Sequence, residues 1–490
     1  MSRESRLAIA LIGSAAVLGV LGDVLFNGQP LGLNVALWLV VFAAALSMLL
    51  RAGRAPLHQG RRFMVAPLLL FGALFVWHDS PLLVAANLLA LAAAVSMGAL
   101  RRTRPLRSAT LTDYGGGAVA AGCSMIVGAV PLLLTDIRWK EVLGRARSER
   151  VAAVGRGLTI AVPLLLLFGG LFVAADAVFK QLLSTAVPSF DGSIVEHAFV
   201  ALVCAWLAGG LLRDLLAARE EVRIVPASAL EPFRLTPRLG ALELNIALAI
   251  LNVLFLLFVL VQFRYLFGGK ELVEETAHLT YAEYARQGFF ELLAVAGLTL
   301  ALLLVGDWLQ RDDGRGRRAF RWLAAALLVL LAVVIASALQ RMRLYMQQYG
   351  LTELRVYATG VVLWIGAVCA WFAVTVLRGH RQAFAVGTLV AGFAATLCLN
   401  VVNPDALIAR TNVTRPVVDV RYLAHLSDDA VPTLVDRLST LRPEQQRVLA
   451  EALLQRRGAG GDWRSWNAGR AQAERVLRER RAELIAIARR

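Results

Sequence analysis

Polar and aromatic residues gather at a few points where apolar runs of the chain end. Asp176 and Phe179 close one run, and Gln262, Arg264 and Tyr265 close another. Tyr281, Tyr284 and Arg286 lie in LTYAEYARQGFFE (279–291), Tyr349 and Arg355 bound YGLTELR, and Asn403 and Asp405 open NPDALIARTN. Three kinds of chemistry follow from these types. Carboxylates such as Asp176, Glu283 and Asp405 can act as acid or base on a bound substrate. The arginines can hold acidic groups or an anionic head group. Tyr281 and Tyr284, three apart, can share one helix face with Arg286 just beyond, which suits docking at an interface. Asp176 and Arg264 are expected to have partners, because an intramembrane charge costs about 2.5–3.5 kcal/mol at a helix centre and less near the ends. Together these residues form a candidate polar pocket. The plain alternative is an aromatic belt, snorkelling arginines and helix caps that finish the runs. Asp405 itself reads as a turn and cap residue after the helix-ending Pro404.

No motif adds an enzyme class. The chain has no Gly-x-x-x-x-Gly-Lys-Ser/Thr, no Gly-x-Gly-x-x-Gly opening a helix, no His-Glu-x-x-His and no Gly-x-Ser-x-Gly. The six histidines, at 58, 78, 197, 278, 380 and 425, are scattered. Cys123, Cys204, Cys369 and Cys398 sit in apolar stretches as small packing residues. The sequence therefore assigns no catalytic residue, no metal and no cofactor.

The elements that must position the pocket follow from composition. Of 490 residues, 58% are apolar and 18% charged, against roughly 45–50% and about 25% in soluble domains. Apolar runs of about 17 to 22 residues match the roughly 30 Å of a bilayer core. They fall near 7–26, 31–50, 63–77, 82–100, 158–178, 198–216, 246–268, 290–309, 322–340, 357–377 and 383–401. The fold class is all-α: a polytopic transmembrane bundle of about eleven spans with a small helical C-terminal extramembrane module. Arg3 and Arg6 precede the first run as in a signal peptide, but no small-x-small cleavage site follows, so the run is kept as a span.

The net charge is +16, and only Lys140, Lys180 and Lys270 among the 51 basic residues are lysines, an arginine bias that suits a GC-rich bacterial genome. With the N-terminus cytoplasmic, the cytoplasmic segments hold 28 basic residues, the outward loops 7 and the tail after 401 the other 16. This is the positive-inside pattern, and it explains the charge without nucleic acid. The expected location is the bacterial inner membrane, multi-pass, with an extracytoplasmic tail; long segments translocate largely regardless of charge.

Residues 112–137, with five glycines, Pro131 and the flanking acids Asp113 and Asp136, spoil that pattern if they cross, so they read as interfacial or re-entrant. Trp139, Val142, Leu143 and Ala146 then form the apolar stripe of a basic amphipathic helix, an anchor on anionic lipid or a docking site for a cytoplasmic partner. The expected division is 1–100, a four-span segment; 101–157, the interfacial segment; 158–401, a seven-span core; and 402–490, the tail. In the tail Pro443 can open a helix, Gly458 can close it, and a second Arg-rich helix runs to the end. Trp463 and Trp466, three apart in DWRSWN, read as local packing.

ADAVF (175–179), TYAEYARQGFFEL (280–292), YGLTELR (349–355), NPDALIARTN (403–412) and YLAHLSDDAVPTL (422–434) resemble the bacterial membrane proteins grouped as the domain of unknown function numbered 4173. The resemblance covers most of the chain after about residue 150, and the earlier residues match only as generic spans. It implies a shared membrane core and carries over no catalytic residue.

Three functions are open to such a chain. One is a non-enzymatic envelope sensor, scaffold or assembly protein whose outer pocket and tail bind an envelope protein or lipid head group. Another is a secondary transporter of a small anionic solute, although midplane carboxylates and paired broken helices are not evident. The third is an enzyme acting on a lipid-linked substrate, against which the first outward loop, Asn27 to Leu31, is very short.

Overall fold

The computed structural model describes residues 3–53, 59–100, 109–136, 192–216, 241–267, 289–309, 314–456 and 462–489. The described residues are helical, with no strand among them. The apolar runs become α1 (Arg3–Phe26), α2 (Leu33–Ala52), α3 (Gln59–Leu74), α4 (Pro81–Gly98), α5 (Leu111–Val127), α6 (Gly192–Leu216), α7 (Ala241–Phe267), α8 (Phe289–Leu309), α9 (Gly314–Tyr349), α10 (Glu353–Thr375) and α11 (Arg381–Val402). Among the described residues nine helices are long and apolar enough to cross a bilayer, and Phe63–Leu74 of α3 is a shorter apolar one. Ten of the eleven expected spans fall on these helices, and 158–178 lies outside the described residues.

These helices pack as two groups with separate cores. Leu18, Phe42, Leu46, Met64, Leu68, Leu212 and Leu215, with Val84 and Leu91 packed against them, unite α1 to α4 with α6. Leu248, Phe255, Leu303, Phe320, Leu327, Leu331 and Phe372 unite α7 to α10. In the first group close approach depends on glycine: a Cβ on Gly19 of α1 would strike the Ala201 carbonyl and the Ala205 side chain of α6. Small residues at such a crossing let two backbones gain dispersion energy where lipid removes the hydrophobic drive. The groups meet through α3, α4 and α11. Phe71 and Phe393 pack with ring centroids 5.2 Å apart, and the buried amides of Asn87 and Asn400 donate to each other at 3.2 and 2.9 Å.

One face of the bundle carries the loops 27–32, 75–80 and 350–352 and the described residues after 402. The chain ends of α1 and α6 meet there too, where His197 Nδ1 lies 2.9 Å from the Asp23 carboxylate. The opposite face carries Arg381 paired with Asp307 at 2.7 Å and Arg213 paired with Asp136 at 2.6 Å. The contacts of α5 and the turns after it fall mainly toward this opposite face, with Ser96 of α4, Ala385 of α11 and Gly210 and Arg213 of α6. The amphipathic stretch 139–150 lies outside the described residues.

The tail forms α12 (Pro404–Asn412), α13 (Val420–His425), α14 (Val431–Asp436), α15 (Pro443–Gln455), α16 (Ala468–Glu479) and α17 (Arg481–Ala488). Ile408, Leu423, Val431, Leu434, Leu449, Leu453 and Leu484 make its core. Pro443 does open a helix, at its first position, whereas the expected stop at Gly458 lies outside the described residues. The Arg-rich second helix is broken at Arg480 into α16 and α17.

Candidate functional site

The site grows from the turn that ends α11. Asn403 adopts the left-handed region (φ 49°), and its side-chain oxygen accepts from the Ala406 N–H at 3.3 Å. Asn tolerates this conformation and caps the orphan amides of the next helix, while Pro404 fits its first position. Asn403 is therefore the cap that sequence reading gave to Asp405. Asp405 instead points inward and is fully buried.

Around Asp405 four distant stretches of chain converge. Ser427 donates to its Oδ2 from both its backbone N–H, at 3.3 Å, and its hydroxyl. Glu353, the first residue of α10, stands near enough for its carboxyl to feel the charge of Asp405, and Asp405 Oδ1 is buried with no hydrogen-bond partner. Neighbouring carboxylates at a buried site repel, which favours the protonated form. Burial, with the charge of Asp429 beside it, raises the Asp405 carboxyl above its ordinary range against the Ser427 donors.

Asp429 ties this centre to the loop between α3 and α4. Its Oδ2 accepts from the N–H groups of Asp79 and Ser80 at 2.8 and 3.0 Å, and its Oδ1 lies 3.4 Å from His78 Nδ1. The Ser80 hydroxyl reaches the Tyr357 hydroxyl of α10 at 3.5 Å, and the Tyr422 hydroxyl accepts from the Glu353 N–H at 2.9 Å. Asp79 pairs with Arg470 at 3.4 Å. Burial nevertheless pushes its carboxyl up to about 6, since the charges of Asp428 and Asp429 offset part of what Arg470 supplies.

The start of α16 is fastened to the same loop. Asn467 Nδ2 donates to the carbonyls of Phe75 and His78 at 2.8 and 2.7 Å, while the Ala468 and Gly469 N–H groups donate to Val76 and Trp77. Arg470 donates to the Leu31 and Ser465 carbonyls, and the Leu33 N–H donates to Trp466. On the α9 side, Asn412 pairs with both backbone groups of Leu351 at 2.8 Å. Gly350 turns the chain there with φ 82°, a conformation that favours glycine.

The arrangement fastens the tail to the α3–α4 loop and to the start of α10. His78 and Asp429 are arranged like a base and its orienting acid, and among the described residues His78 Nε2 is buried with no hydrogen-bond partner. Among the described residues no group of three His, Cys, Asp or Glu side chains is placed to hold a metal ion.

Of the residues singled out from sequence, Asp405 is central and Asn403 turns the chain into it. Arg355 and Tyr349 lie on the neighbouring α9–α10 turn. The Arg355 guanidinium stacks 4.0 Å over the Tyr345 ring and donates to Gly350, and Tyr349 packs edge-on against Tyr345. Gln262, Arg264 and Tyr265 fall at the end of α7, where only the backbone is described. Asp176, Tyr281, Tyr284 and Arg286 lie outside the described residues. Sequence reading missed His78, Asp79, Ser80, Glu353, Tyr357, Asp429, Asn467 and Arg470. The only signals were polar clusters at helix ends, HDSP before α4 and SDDA before α14.

A helical membrane bundle in two groups, held on one face by a small helical module through buried carboxyl groups, defines the class: an all-α polytopic membrane protein. The chain belongs to the family described as Domain of unknown function (DUF4153), whose model matches residues 65–437. The match is thus to a domain of unknown function, as the resemblance implied, but under the number 4153, and it begins well before residue 150. No curated protein and no solved structure matches the chain.

Proposed function

We propose that the protein is a non-enzymatic scaffold or sensor of the bacterial envelope, in which the tail module is latched to both helix groups by protonatable carboxyl groups. The observation that carries this is Asp429: one tail side chain binds the α3–α4 loop, while its neighbour Ser427 binds Asp405 beside α10. A module held this way changes its docking when a proton or a partner binds the latch. We further propose the inner membrane as its location, with the module extracytoplasmic. The opposite face carries Arg51, Arg213, Arg317, Arg318, Arg321 and Arg381, the distribution expected of a cytoplasmic side. On this reading the fourfold division of the chain places the sensing surface in 402–490 and its counterpart on the membrane core.

Reporter fusions at Arg490, one active only outside the cytoplasm and one fluorescent only inside, test the orientation, with the outside signal expected. Asp429→Asn in the intact protein tests the role: an envelope phenotype like that of a deletion is expected, with no solute uptake by proteoliposomes of the wild type. Uptake of an anionic solute, or a lipid-linked intermediate accumulating in the deletion strain, would overturn the reading in favour of transport or catalysis.

A further inference from the structure

The short turn Trp463–Ser465 and the residue after it, Trp466, present two indoles that the tail core does not use. Trp463 is 59% and Trp466 47% exposed. Their backbone is nonetheless firmly held. Arg464 donates from Nη1 to the Val24 carbonyl, in the last turn of α1, at 2.7 Å, and its guanidinium is braced by the Asp462 carboxylate. Trp466 accepts at its carbonyl from the Leu33 N–H at the start of α2.

Val24 fixes the level of this turn relative to the membrane. It ends a stripe on α1 formed by Val17, Val20 and Val24, which are exposed and follow helical spacing on a membrane-spanning helix. Apolar side chains exposed along such a helix face lipid. The turn holding the two indoles therefore sits where the lipid-facing stripe stops. Trp77, itself 45% exposed, lies in the neighbouring loop, whose carbonyl accepts from Gly469. Leu31 and Leu82, also exposed, stand at the adjoining helix ends. An indole is large and apolar with one N–H donor, and it partitions to the layer between acyl chains and head groups.

We infer that Trp463 and Trp466 insert into the head-group layer of the phospholipid leaflet around α1 and α2, so that the module is seated in lipid as well as latched to protein. The surface is continuous with the lipid-facing side of a span, which is why phospholipid is its occupant. The inference holds for either orientation of the chain and does not depend on the carboxyl latch.

The test uses the full chain in phospholipid nanodiscs. Tryptophan emission of the wild type and of W463F/W466F is compared, and their difference isolates the two indoles. Lipids brominated near the top of the acyl chain are expected to remove more of that difference than lipids brominated near its end, and aqueous iodide to remove little. Loss to iodide with no effect of either brominated lipid would place the indoles in water. Insensitivity to all three quenchers would place them against protein. Either result overturns the inference. A second measurement needs no substitution: a phospholipid with a photoreactive group near its head group is expected to label the wild-type tryptic peptides ending at Arg464 and Arg470. Labelling confined to other peptides would count against the seat.

Discussion

Docking of the tail module should weaken as the pH rises, and Asp79 supplies the cleanest measure of it. Its carboxyl is raised from 3.8 to about 6, chiefly by burial. A raised carboxyl contributes stability that is fully present below the unfolded value and is lost as the pH rises through the folded one. The whole shift, about 2 pH units, corresponds to about 3 kcal/mol. By about pH 5 roughly half of it is realised, about 1.4 kcal/mol or tenfold in the docking equilibrium relative to about pH 7.5. The Asp79 side chain is 26% open to solvent, and screening lowers the expected effect to roughly three- to tenfold. Asp405, also raised, acts with the same sign.

The interface reports on itself, because the N–H groups of Leu33, Asp79, Ser80, Ala468 and Gly469 are bonded across it. Their hydrogen-exchange protection, corrected for the intrinsic pH dependence, should be that much larger at about pH 5 than at about pH 7.5. Asp79→Asn should make the profile shallower, leaving the part due to Asp405, since the amide does not titrate and Arg470 keeps its bonds to Leu31 and Ser465. Protection that is flat or rises with pH in the wild type, or an unchanged profile in Asp79→Asn, would refute the reasoning.

Other substitutions probe the parts around the latch. Asn467→Ala leaves the carbonyls of Phe75 and His78 without their donor and should cost about 1–3 kcal/mol, seen as faster exchange at Ala468 and Gly469 and easier proteolysis of the tail. Asn87→Leu should destabilise the joint between the helix groups by about 0.6–2 kcal/mol in a thermal assay in detergent, and adding Asn400→Leu should recover part of the loss by removing the second stranded amide. Gly19→Leu forces α1 away from the Ala201 backbone and should lower thermal stability by about 1–3 kcal/mol or more, whereas Gly13→Leu, at a position open to space, should not.

The spans were legible because crossing a bilayer is a demand on local composition: a run of apolar residues of fixed length declares itself wherever it folds. Hence α1 to α4 and α6 to α11 match the expected runs, and Pro443 opens its helix as its fixed φ dictates. The cap at Asn403 was within reach of the same local reasoning and was placed two residues late. The latch was not legible. Asp405 reads as an ordinary turn residue until Glu353, Ser427 and the charge of Asp429 are brought against it, and Asp79 as a solvated loop acid until burial raises it. Trp463 and Trp466 looked like packing residues because spacing says nothing about which side of a turn meets the core. The side on which α6 packs, with α1 rather than α7, likewise rests on Gly19 meeting Ala201 across 182 positions of chain. By itself the sequence determined what must lie in lipid, through properties each segment carries alone. The tertiary structure decided which polar groups lose their water, because desolvation and the charges that act on a buried group belong to neighbours, and these neighbours are far apart in the chain.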